Sequence, residues 1–96
     1  MRRAAKVDVN QPEIVAALRK IGAAVLITSQ LKNAFDILVG YQGRLYIMEI
    51  KDGAKPPSAR KLTEGELKCA NMFDKVNVKY HVPCSIDEAI EIINQK

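Results

Sequence analysis

A chain of 96 residues, 48% hydrophobic and 27% charged, has room for one modest core, and its composition excludes a wholly disordered or collagen-like polymer. Its formal net charge of +4 is uneven: residues 1–61 hold eleven Lys/Arg against five Asp/Glu, and residues 62–96 hold four against six. A basic first half suits a polyanionic partner and equally a solvated surface. No apolar run approaches the roughly 20 residues that span a membrane, and Cys69 and Cys84, without CxxC spacing or a signal segment, read as reduced thiols of a cytoplasmic protein.

The first element is "NQPEIVAALRKIGA", in which Ile14, Val15, Leu18 and Ile21 form a helical stripe. Asn10 is placed to cap it, Pro12 is tolerated in its first turn and Gly22 stops it. "AAVLIT" follows as a short strand. After the polar break "SQLKN", Asp36–Tyr41 and Arg44–Lys51 form a hairpin. "DGAKPPSARKL" carries a glycine and two prolines and is a loop. Thr63 with Glu66 makes a T-x-x-E capping box, opening a helix that runs to about Lys75. "VNVKYHV" predicts another strand, and Ser85 with Glu88 opens the last helix, "IDEAIEII". The order α-β-β-β-α-β-α predicts one α/β domain over residues 1–96. Its sheet is mixed and flanked by helices, and the last strand lies parallel to an earlier one.

The hairpin ends carry unusual charge. If Gln42-Gly43 is a two-residue turn, Tyr41 pairs with Arg44 and Asp36 faces Glu49. Lys51 then lies two residues beyond Glu49 on the same strand face. Like charges in that position destabilise a sheet unless a shared proton or a cation relieves them. Oxygen ligands of this kind suit Mg²⁺ or Mn²⁺ better than zinc. A bulge at Gly43 would instead put Asp36 opposite Met48. The plain alternative is an aspartate that begins one strand and a Glu/Lys pair that ends the next.

Asp36, followed by Glu49-Ile50-Lys51 on the next strand and preceded by a helix bearing Glu13, resembles the PD-(D/E)xK nuclease superfamily. Within it, "QPEIVAALRKIGA", "FDILVG", "MEIKDG", "KPPSARKLT" and "SIDEAIEII" are most similar to the small phage-type members of the virus-type replication-repair nuclease (VRR-NUC) family, related to Holliday junction resolvases. Two departures stand out. Phe35 replaces the proline common in relatives, and Glu66 lies near where relatives often carry glutamine.

The resemblance implies a restriction-endonuclease-like core and a Mg²⁺- or Mn²⁺-dependent deoxyribonuclease. Asp36, Glu49 and the backbone carbonyl of Ile50 would hold the metal. Lys51 would position the attacking water or stabilise the pentavalent charge. Glu13 would hold a second metal or its water shell; as a residue, it can equally serve as capping partner to Asn10. Lys55, Arg60 and Lys61, in the loop after the site, would grip phosphates or simply be solvated. The expected partner is DNA, branched as in a Holliday junction, bound by a homodimer in the cytoplasm of a bacterial or phage-infected cell. The second helix, with Leu67, Ala70, Met72 and Phe73, offers a dimer face. The rival functions are a catalytically silent DNA-binding module on the same fold and a protein-interaction domain. His81 reads as packed or surface, and Ser58 as a loop residue rather than a nucleophile.

Overall fold

The computed structural model describes residues 8–95. They form α1 (Gln11–Lys20), β1 (Ala24–Ile27), β2 (Ile37–Tyr41), β3 (Arg44–Met48), a 3-10 turn (Pro57–Arg60), α2 (Glu64–Asp74), β4 (Tyr80–His81) and α3 (Ile86–Ile93). The strands lie in the order β1-β2-β3-β4. The first three are antiparallel and β4 is parallel to β3. This is the mixed sheet with flanking helices that the element order predicts. No helix among the described residues is long and apolar enough to cross a membrane.

The two-residue turn sets the hairpin. Gln42 and Gly43 both have positive φ, 49° and 80°, the type I′ geometry whose twist matches antiparallel strands. Tyr41 therefore pairs with Arg44, and the ladder runs in step to Ile37 and Met48. Beyond it the pairing changes hands. The Asp36 amide donates to the Met48 carbonyl at 3.0 Å, while the Glu49 amide turns to the His81 carbonyl at 2.8 Å. Glu49–Lys51 thus continue along the β4 side, where the Lys51 amide meets the Pro83 carbonyl at 3.2 Å.

Two expectations need correcting. The strand predicted over 76–82 is only Tyr80–His81. The amides of Val76, Asn77 and Val78 bond back to the Phe73 and Asp74 carbonyls, and Asn77 takes φ 63°. Those residues terminate α2 instead of extending the sheet. Asn10 likewise makes no side-chain cap on α1. Its amide group reaches across the fold to the carbonyls of Lys51, at 3.1 Å, and Cys84, at 3.2 Å.

Ile14, Val15 and Leu18 of α1 pack with Ile37, Val39, Met48 and Ile50 of the sheet and Ala89 and Ile93 of α3. Each fully buried aliphatic side chain contributes roughly 1.5–3 kcal/mol of hydrophobic stabilisation. α2 stands apart from this core. It docks at the strand ends, where Phe73 meets Phe35 edge to face at 6.4 Å. That docking leaves the ends of β2 and β3 under α2, and the charged residues sit there.

Candidate active site

Asp36 and Glu49 are both buried, at 9% and 6% exposure. The Asp36 carboxylate accepts the Ile50 amide through Oδ2 at 2.8 Å. Ile50, just past the end of β3, therefore presents its backbone amide to Asp36. Lys51 places its Nζ 2.9 Å from Glu66 Oε1 and 3.7 Å from Glu49 Oε2. Asp36, Glu49 and Glu66 line one cavity of about 200 Å³ with Ser29, Lys32 and Asn33.

The electrostatics follow from burial. Desolvation raises the Asp36 pKa, against the Ile50 amide and a hydrogen bond with Glu49, which both lower it. Glu49 is pushed up to about 9, first by burial, then by its hydrogen bond with Glu66 and the nearby charge of Asp36. Burial works against the Lys51 ammonium, yet the Glu66 hydrogen bond and the surrounding carboxylates outweigh it and raise its pKa. Burial also opposes ionisation of Glu66. Hydrogen bonds from Glu49, the Thr63 backbone and Lys51 prevail and hold its pKa below the usual carboxylate range. Burial and the neighbouring carboxylates thus favour the protonated form of Glu49, and the same carboxylates favour the charged form of Lys51.

Further residues build the surroundings. The half-buried Tyr80 hydroxyl lies 2.6 Å from the Ala34 carbonyl and 3.5 Å from Glu49 Oε1. The Gln11 amide donates to Ser29 Oγ at 2.9 Å, and Ser29 Oγ reaches the Asp36 carbonyl at 3.3 Å. Gln11, 3% exposed, leaves its Oε1 without a partner among the described residues. Sequence reasoning singled out none of Gln11, Ser29 or Tyr80. Their signal was only a polar group in a stretch otherwise explained by helix, loop or strand.

The remaining predicted residues lie elsewhere. Glu13 is exposed and lines a separate cavity of about 640 Å³ with Asn10, Asp52, Arg60 and Glu88. From α1, Gln11 is linked to the Asp36 backbone through Ser29. Lys55 is 53% exposed and 3.9 Å from Asp8. Arg60 is half-buried, and Lys61 is exposed. Half-buried His81 packs against Tyr46, with ring centroids 6.0 Å apart. Ser58 is an exposed residue of the 3-10 turn.

Hard oxygen donors, crowded until one holds a proton, form a donor set that a small divalent cation fits. Among the described residues, no three His, Cys, Asp or Glu side chains group closely enough to chelate an ion by themselves. Two carboxylates, a backbone carbonyl and water are the ligands on offer.

No family model matches the sequence, and no curated protein matches it. A solved structure described as a VRR_NUC domain is similar with a TM-score of 0.65 at 19% identity, covering 92% of this chain and 98% of that one. Near-complete coverage in both directions shows that the chain shares the fold of that VRR_NUC domain, a mixed sheet with flanking helices.

Proposed function

We propose that the protein is a metal-dependent DNA endonuclease that hydrolyses phosphodiester bonds, acting on branched DNA such as Holliday junctions. The observation that carries this reading is the convergence of Asp36 and Glu49 at one cavity, with Lys51 Nζ 3.7 Å from Glu49, in a chain with the fold of a VRR_NUC domain. Asp36, Glu49 and the Ile50 carbonyl would hold Mg²⁺ or Mn²⁺, which when bound supplies Lewis-acid polarisation of the phosphate and a more acidic water. Glu49 must release its proton to serve as a ligand. Lys51 holds the attacking water or meets the negative charge that grows on the phosphoryl oxygens. Glu13 lies on the neighbouring cavity, so any second metal that it serves is held away from the Asp36 cavity. Lys55, Arg60 and Lys61 supply sequence-independent contacts to phosphates.

Paired cuts across a junction need two sites, and a two-fold homodimer supplies them. The test is cleavage of labelled linear, flap and four-way-junction DNA with Mg²⁺ or Mn²⁺. The expected outcome is junction cleavage that chelator abolishes and that Glu49→Ala loses. Metal-independent cleavage, or full activity in Glu49→Ala, overturns the assignment. A second reading, DNA binding without cleavage, draws on the lack of a third chelating side chain among the described residues. Tight junction binding with no product in either metal supports it.

A further inference from the structure

Glu66 does two jobs with one oxygen. Its Oε1 accepts the Thr63 backbone amide at 2.9 Å, and the Glu66 amide donates to Thr63 Oγ1 at 3.2 Å. Together these close the capping box of α2. The same Oε1 accepts Lys51 Nζ at 2.9 Å. A lysine ammonium on four rotatable bonds has little preferred direction of its own. Glu49 Oε2, at 3.7 Å, is too far to fix it by hydrogen bonding. The direction therefore comes from Glu66, whose oxygen the start of α2 holds still.

The start of α2 is itself pinned. A Cβ on Gly65 would overlap the Asn33 side chain, so the absence of a side chain there lets α2 close onto the loop that leads into Asp36. Asn33 holds φ 57° in that loop. The side chains of Lys51 and Glu66 are 12% and 17% exposed, which shields their ion pair from water and salt.

We propose that Glu66 is a positioning residue: the oxygen that closes the α2 capping box also holds the Lys51 ammonium in place beside Glu49. This rests on the nuclease reading for its consequence, but not for the placement of Lys51. The helix cap thereby sets the geometry of the proposed reaction.

The test separates capping from aiming. Glu66→Ala and Thr63→Ala each remove one half of the capping box, and only Glu66→Ala touches Lys51. Both variants are expected to lower the melting temperature, Glu66→Ala the more because it also leaves the Lys51 ammonium without its partner. In Glu66→Ala, kcat on junction DNA falls at least about tenfold with KM little changed, as for a misplaced catalytic group. In Thr63→Ala, kcat is retained. Glu66→Gln keeps an acceptor for the cap and for Lys51 but not the charge, so its melting temperature falls less than that of Glu66→Ala and its kcat is intermediate. A second readout is NMR of ¹³C-labelled lysine, in which the Lys51 ε-methylene is rigid in wild type and Thr63→Ala and mobile in Glu66→Ala. An unchanged Lys51 signal in Glu66→Ala overturns the proposal. So does a loosened Lys51 with kcat equal to that of Thr63→Ala. If wild-type protein cuts no DNA, the nuclease reading fails, and the lysine signal still decides whether Glu66 holds Lys51.

Discussion

Asp36 and Glu49 look equivalent as two buried acids, yet they bear on stability by different routes. Asp36 is the acceptor for the amide of Ile50, a residue with no exposure at all. Asp36→Ala orphans that amide and costs about 1–3 kcal/mol, whereas Asp36→Asn keeps an acceptor and loses only the charge. Chemical denaturation in chelator checks this: Asp36→Ala is expected to unfold at lower denaturant than Asp36→Asn. Relief of like-charge repulsion alone would have made both variants as stable as wild type. Glu49 contributes through its proton. Its folded pKa of about 9 stands above the ordinary value of 4.5. Below the ordinary value both states hold the proton, and its stabilisation is fully present. As pH rises from there to about 9 the unfolded chain releases a proton that the folded chain keeps, so stability falls. Melting temperatures in chelator should therefore decline between about pH 5 and pH 8.5, and Glu49→Gln should flatten the decline. Equal slopes in the two proteins would refute the buried-proton assignment. Of these site residues, Asp36, Glu49 and Lys51 were legible because charge stands out in an apolar hairpin. Glu66 stood out only by its position near the glutamine of relatives; its pairing with Lys51 was not legible, because T-x-x-E is fully explained by a helix cap and says nothing of a lysine fifteen positions earlier.

Among the elements, the hairpin was the most legible and β4 the least. Short apolar runs on either side of Gln42-Gly43 specify both strands, and the turn then fixes their register. "VNVKYHV" alternates as a strand should, yet its first three residues complete the end of α2. Local pattern cannot register that competition, because the αL conformation at Asn77 depends on where α2 stops. Asn10 was misjudged for the same reason: an N-cap residue type was claimed by tertiary carbonyls. The turn itself is improvable. Gln42 sits at φ 49°, a conformation that asparagine and glycine adopt more readily. Gln42→Asn is expected to stabilise the protein by about 0.5–1 kcal/mol. A lower denaturation midpoint in that variant would show that the Gln42 side chain makes a contact of greater value than the backbone preference.

At the scale of the whole molecule, the basic first half and the DNA reading meet in a salt experiment. Removing Lys55, Arg60 or Lys61 should weaken junction binding and shrink the slope of log affinity against log salt by about 0.9 for each lost phosphate contact. Lys51→Ala should leave that slope alone and lower kcat. The same pattern from both sets would erase the distinction between grip and chemistry. The homodimer has its own measurement, since light scattering at micromolar concentration should give about twice the monomer mass of 10.7 kDa. A mass at the monomer value rejects it. Leu67 and Met72 of α2 are half or more exposed, as a dimer face requires, whereas Phe73 is spent on Phe35. The Asn10 clamp bears on the order of assembly. It ties Lys51 to residues 41 positions before it, and the same amide holds Cys84, 74 positions along the chain. A nascent chain that has left the ribosome only through α2 already contains Asp36, Glu49, Lys51 and Glu66. It still lacks the Pro83 carbonyl that pairs with Lys51 and the Cys84 carbonyl that completes the clamp. On the proposed reading, the site closes only once Pro83 and Cys84 have joined the fold, after all of its own residues are already in the chain.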